Sequence, residues 1–147
     1  MKICLAASKG GHYFQMQELT KKINFEKFQS FFLTFQREDI EVNPNTYFVT
    51  DPKRNPFRFF LNFLQSLRVM LKERPEIIIS TGAGVTILPC YIVKLLGGKV
   101  IYIESFSRVW NPSVSGRIIY PIADLFFVQW EELKSKYPKA IFAGRLR

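Results

Sequence analysis

The 147-residue chain has few residues able to hold a metal or form a disulfide: one histidine, His12, and two cysteines, Cys4 and Cys90. The cysteines lie far apart and neither has metal-ligand spacing. They read as buried core thiols in a reducing compartment, and neither a metal nor a cofactor is expected. Acidic residues are also scarce, with 12 Asp and Glu against 21 Lys and Arg, a net charge of +9. That balance favours an anionic partner: nucleic acid, an acidic membrane surface or a phosphorylated substrate. Long apolar runs are missing too. The most hydrophobic region, Val85 to Ile103, is broken by Pro89, Lys94 and Gly97-Gly98, so it reads as helix, turn and strand and not as a membrane span. Met1-Lys2 runs straight into a short strand, and no secretory leader is read there. A membrane is therefore expected to be met from its surface or through a partner. Nucleotide fingerprints are absent: no G-x-G-x-x-G and no G-x-x-x-x-G-K-[ST] occurs, and Glu38 and Asp39 are poorly placed to hold a ribose.

What the chain does have is an apolar fraction of 48%, enough for one globular domain, and fifteen phenylalanines. Its most telling feature is a pair of glycine loops, each placed after an apolar run and before a helical pattern. Lys2-Ile3-Cys4-Leu5-Ala6-Ala7 leads into Ser8-Lys9-Gly10-Gly11-His12, and Glu76-Ile77-Ile78-Ile79 leads into Ser80-Thr81-Gly82-Ala83-Gly84. In such a strand–loop–helix unit, backbone N–H groups and a helix N-terminus converge on one spot and bind an anion, usually phosphate. Two of them point to a phosphorylated or diphosphorylated ligand.

Strand-like and helix-like segments alternate throughout. Strands are expected at 3–7, 29–35, 46–50, 76–80, 99–104, 125–129 and 140–143. Helices are expected at 11–23 (with Phe14, Leu19 and Ile23 inward), 57–72, 85–96, 112–120 and 131–136, and the polar segment 38–45 carries an Asn43-Pro44 turn signal. This is the pattern of an α/β fold with a doubly wound, mostly parallel, Rossmann-like sheet. Ligands of such sheets bind beyond the carboxyl ends of the strands, where strand order reverses, and both glycine loops should flank that point.

His12 enters the helix after the first loop. It is placed to accept a proton near neutral pH, or simply to cap or hydrogen-bond. Glu104 ends the strand 99–104, where it can orient a sugar hydroxyl, accept a proton or pair with Arg108. The segment from Pro56 to Arg74 combines Phe57, Phe59, Phe60, Phe63 and Leu64 with Arg58, Arg68, Lys72 and Arg74, preceded by Lys53 and Arg54. That composition suits shallow insertion among anionic headgroups, and equally a core helix with solvated cations.

Four blocks carry a resemblance: Ser8–His12, Ser80–Val85, Tyr102–Arg108 and Tyr120–Trp130, continued by Glu132–Ala140. On these the chain resembles the asparagine-linked glycosylation protein 14 family and its bacterial relatives in polysaccharide biosynthesis. The resemblance implies the N-terminal, acceptor-side half of a MurG-type GT-B glycosyltransferase, occupying residues 1–147 as a separate subunit at the cytoplasmic membrane face. It further implies a donor-side partner subunit that holds a nucleotide sugar. Together the two would transfer a sugar, with inversion, to a polyprenyl- or dolichyl-diphosphate-linked saccharide. Carried over, Ser8, Lys9, Gly10, Gly11, Thr81, Gly82 and Gly84 receive the acceptor diphosphate, while His12 and Glu104 are catalytic. Membrane contact falls to Arg58, Phe59, Phe60, Phe63 and Arg68, and partner docking to Phe142–Arg147. Lys9 stands where relatives more often have a small residue. The eukaryotic proteins usually carry an N-terminal membrane helix that is not read here, which points to a prokaryotic relative. No donor half follows Arg147, so the subunit is expected to be inactive alone. The competing expectations are a basic nucleic-acid-binding α/β domain and, more weakly, a small nucleotide-dependent enzyme. The clustering of aromatics in strands and one helix argues against the former.

Overall fold

A computed structural model describes residues 1–35 and 44–146; the 38–45 expectation, Glu38 and Asp39 included, falls mostly outside them, as does Arg147. Seven strands form one sheet: β1 (Lys2–Ala6), β2 (Gln29–Thr34), β3 (Thr46–Phe48), β4 (Ile77–Ser80), β5 (Lys99–Ile103), β6 (Leu125–Val128) and β7 (Ile141–Phe142). Their order is β3-β2-β1-β4-β5-β6-β7, and every neighbouring pair is parallel. The helices are α1 (Gly11–Lys22), α2 (Pro56–Glu73), α3 (Ile87–Leu95) and α4 (Val114–Ile119), with short 3-10 turns at Phe25–Lys27, Gly84–Thr86 and Glu131–Ser135. The expected doubly wound α/β class is what forms.

Side chains alternate across each strand, so the sheet has two distinct apolar faces. Cys4, Ala6, Ile78, Val100 and Tyr102 point to the face packed by Val69 and Met70 of α2, Cys90 and Val93 of α3, and Ile119 of α4. Ile3, Leu5, Ile79 and Ile103 point the other way, where Met16 of α1 and Phe25 of the following turn pack on them with Leu146 at the margin. Right-handed crossovers produce this asymmetry: the chain winds in one direction from β1 to β3 and in the other from β4 onward. Both thiols are buried, and burial raises the Cys4 thiol and pushes Cys90 up to about 12.

Two inward assignments along the first helix are corrected. Phe14 and Ile23 are 54% and 41% exposed, whereas Gln15 and Met16 are buried. Among the described residues α1 is the one α-helix on its side of the sheet, flanked by Phe25 of the following 3-10 turn, so its outer flanks stay exposed. The third helix also starts later than expected. Thr86 Oγ1 donates to Ala83 O and accepts from Ser80 Oγ, holding residues 84–86 in a tight turn before α3 begins. Pro89 then sits in the first turn of α3, where no intrahelical N–H is required. At the other end of α2, Asn55 Oδ1 accepts from the N–H groups of Phe57 and Arg58, and Pro56 occupies the first helical position.

Candidate functional site

β1 pairs with both β2 and β4, which makes the gap between β1 and β4 the point where strand order reverses. Both glycine loops leave the sheet there, and they interlock. Thr81 Oγ1 donates to His12 O at 2.7 Å, and His12 Nδ1 lies 2.7 Å from Thr81 O. A carbonyl oxygen only accepts, so Nδ1 carries the proton of the neutral ring and the lone pair resides on Nε2. Gly82 closes the latch. Its φ is +109°, and an added Cβ would stand 2.9 Å from Tyr102 Oη and 3.2 Å from His12 Cε1, so any larger residue is strained and displaces these side chains.

The two loops are not equivalent as anion donors. In the second, the Thr81 N–H goes to Ala6 O, Gly82 N–H to Ser80 Oγ and Ala83 N–H to Ser115 Oγ. Those amides are spent on the fold, and the Gly84 N–H has no acceptor among the described residues. In the first loop, Gly10 is the N-cap of α1, at φ 79°, with no side-chain cap bond. Among the described residues the leading amides of this twelve-residue helix therefore have no intrahelical or capping acceptor. A Cβ added at Gly10 or Gly11 would meet nothing within 4 Å, so neither glycine is packed against another part of the fold. Ser8 is buried, and its hydroxyl donates to Lys9 O at 3.3 Å.

Glu104 is fully buried, and its carboxylate accepts from the N–H groups of Ser105 and Ser113, from Ser113 Oγ and from Tyr137 Oη. The alternative of pairing with Arg108 is not what forms. Gly116 packs directly on this carboxylate, leaving no room for a side chain. Ser113 and Ser115 carry the network on to Tyr102 Oη, and Ser115 reaches the second glycine loop through Ala83 N–H. Burial, followed by the Glu104 charge, raises the Tyr102 and Tyr137 phenols, so both stay protonated donors.

A cavity of about 790 Å³ opens at this edge. His12, Ala83 and Gly84 line it together with Lys53, Arg54, Phe59, Arg108 and Ser115. Phe59 belongs to α2, whose inward stripe is Asn62, Ser66, Val69 and Met70. Phe57, Phe59, Phe60 and Phe63 are exposed, Phe57 to 69%, and Arg68 is exposed beside them. Arg58 Nε donates to Asp51 O at 2.9 Å, tying down the loop before the helix. Among the described residues no helix is long and apolar enough to cross a membrane.

Sequence reasoning overlooked Gln15, Gln129, Ser113 and Ser115. Ser113 had a legible signal, an N-cap three residues before Gly116, whose N–H it accepts. The glutamines had none, because nothing local says that an amide side chain will be enclosed.

The family model "Oligosaccharide biosynthesis protein Alg14 like" matches residues 48–146. The chain belongs to this family. The Alg14-like match takes in the second glycine loop and Glu104, and the first loop lies before it. Among curated relatives, the UDP-N-acetylglucosamine transferase subunit alg14 of Schizosaccharomyces pombe is 38% identical over 97 residues, covering 60% of this chain and 46% of that protein. The ALG14 subunit of Homo sapiens is 38% identical, covering 55% and 40%. That of Candida glabrata is 30% identical over 141 residues, covering 87% and 57%. The matched part thus spans about half the length of these Alg14 proteins. Among solved structures, Acinetobacter baumannii MurG superposes with a TM-score of 0.70 at 15% identity, covering 90% of this chain and 43% of that one. Staphylococcus aureus MnaA with UDP gives 0.77 at 13%, covering 99% and 45%. These two likenesses establish the fold of one half of such chains.

Proposed function

We propose that this chain is the acceptor-binding, membrane-recruiting subunit of a two-subunit inverting glycosyltransferase. The sugar comes from a nucleotide sugar, UDP-linked as the names of the curated relatives imply. The acceptor is a saccharide carried on a polyprenyl or dolichyl diphosphate. The observation that carries this reading is the interlocked pair of glycine loops, with a histidine beside uncapped helix amides at the rim of a large cavity.

In this scheme the leading amides of α1 and the Gly84 N–H hold the diphosphate. His12 Nε2 takes the proton from the acceptor hydroxyl as its oxygen attacks the anomeric carbon, and the nucleoside diphosphate leaves from the opposite side, which inverts that centre. Thr81 O keeps the ring in the required tautomer. Glu104 acts from beneath, fixing Ser113 and, through Ser115, the second loop. The exposed phenylalanines of α2 continue from the cavity at Phe59 and rest on the cytoplasmic membrane surface, where Arg68 meets anionic headgroups.

The donor-side subunit docks at the C-terminal segment. Residues 143–146 border a separate apolar hollow of about 390 Å³ on the thinly covered sheet face, lined by Leu19, Ile101, Leu125 and Phe127. Ile141 and Phe142 are exposed beside it. Purified alone, the chain should show no transfer, and adding a donor-side subunit should restore it. In the pair, His12→Ala should lower kcat by about 10²–10⁴-fold with little change in acceptor KM. Transfer by the isolated chain, or normal turnover by that variant, would overturn the assignment.

A further inference from the structure

The cavity wall bears cations that neither glycine loop supplies. Lys53 and Arg54 come from the loop after β3, and Arg108 from the loop after β5. All three are exposed into solvent, and among the described residues none has an ion-pair partner. Among the described residues the one carboxylate in the same wall is Asp51, which accepts from the Lys53 N–H at 3.4 Å and so is turned to its own backbone. Three like charges around one concavity repel each other, and the concavity concentrates their field on whatever anion enters.

The loop that carries two of them is built, not slack. Pro52 is buried, Asn55 N–H donates to Pro52 O at 2.8 Å, and Arg58 Nε holds Asp51 O. Asn62, fully buried in α2, donates to Thr50 O at 2.8 Å just before it. Within that frame Lys53 and Arg54 both have positive φ, 42° and 57°, a conformation that residues with side chains seldom adopt twice in succession. Sequence composition groups this pair with the membrane-facing helix; the fold places it on the cavity wall instead.

We infer that Lys53, Arg54 and Arg108 form a cationic clamp for the phosphate groups of a lipid-linked diphosphate, complementing the amides of α1. This rests on the acceptor-binding reading above. The amides supply direction through their hydrogen bonds, and the clamp supplies the charge that a dianionic group needs once its water is removed. Phe59, next to the clamp, gives the isoprenoid chain an apolar exit towards the exposed face of α2.

The test uses farnesyl diphosphate as a soluble probe, titrated calorimetrically into the chain, alongside flotation on phosphatidylglycerol vesicles without any diphosphate lipid. The paired variant Lys53→Gly with Arg54→Gly keeps the backbone conformation, since glycine accepts positive φ, and a thermal melt verifies folding. It should weaken farnesyl diphosphate at least tenfold, and Arg108→Ala at least threefold. Both should float like wild type, and Arg68→Ala, outside the cavity, should bind the probe normally. Variants that bind the probe as wild type does overturn the clamp and leave the acceptor reading standing. Wild type that fails to bind it removes both. Variants that keep the probe but lose vesicle binding assign these charges to phospholipid headgroups and overturn the clamp.

Discussion

Nε2 of Gln129 donates to Oε1 of Gln15 at 2.6 Å, joining the last residue of the 125–129 segment to the first helix across 114 residues of sequence. Both side chains are buried. The Gln129 amide also donates to Glu104 O at 3.0 Å and accepts from Leu146 N–H at 2.8 Å, and Gln15 Oε1 receives the Phe106 N–H at 3.3 Å. One amide therefore ties the C-terminal segment, the β5 loop and α1 together beneath the cavity. Arg145, stacked 3.8 Å over the Trp130 ring, and Trp130 Nε1, donating to Phe106 O, brace the same junction.

Gln129→Leu should remove all three of these bonds while retaining bulk. It leaves the buried Gln15 Oε1 and Glu104 O and the partly buried Leu146 N–H short of a partner, and the chain should lose about 2–4 kcal/mol of stability in urea unfolding. An exposed control, Lys134→Ala, should change little. If Gln129→Leu unfolds with the wild-type midpoint and slope, the junction is not what holds the C-terminal segment.

This junction marks the limit of what the sequence disclosed. The strand–helix alternation and the position of both loops follow from apolar runs and glycine spacing, whereas the strand order β3-β2-β1-β4-β5-β6-β7 is read only from the fold. That the loops meet at the β1–β4 switch point was likewise legible. Three features were not. Whether Glu104 points into the cavity or below it depends on packing by Gly116 and Tyr137, residues distant in sequence. Which helix face is enclosed depends on how many helices share a side of the sheet, and this misplaced Phe14 and Ile23. The cavity-lining position of Lys53 and Arg54 depends on two consecutive positive φ angles that no residue type there announces.

The glycine loops offer a contrast between a glycine needed by the fold and one needed by the ligand. Gly82→Ala forces a side chain into positive φ and against Tyr102 and His12, so it should cost about 1–3 kcal/mol and loosen the His12–Thr81 latch. At Gly11 an added Cβ meets nothing within 4 Å, and Gly11→Asp places a negative charge at a helix N-terminus, where it favours the helix. Its melting temperature should match or exceed wild type, while farnesyl diphosphate binding by the chain and sugar transfer by the assembled pair are lost. A Gly11→Asp protein that still binds the diphosphate would show that the anion sits elsewhere.

At the opposite edge of the sheet, two carboxylates should set the acid limit of stability without touching the site. Glu73 is held below the usual carboxylate range by the Tyr47 hydroxyl and then by Lys2, whose Nζ lies 2.9 Å away, and these outweigh its desolvation. For Asp124 burial acts to raise the value, but the bonds from Lys94 and from the Val100 N–H, each 2.8 Å, win and lower it. A carboxyl whose folded value lies below its unfolded one contributes stability that is complete above the unfolded value and is lost as pH falls through the folded one. Urea stability should therefore be level from neutral pH to about pH 5 and decline below about pH 4, where unfolded carboxylates protonate first. Replacing both, Glu73→Gln with Asp124→Asn, should cost about 1–2 kcal/mol per site at neutral pH and flatten the acid decline. Acid curves that run parallel for the two proteins would mean that other carboxylates set the limit, and that these two bonds do not register the fold's protonation.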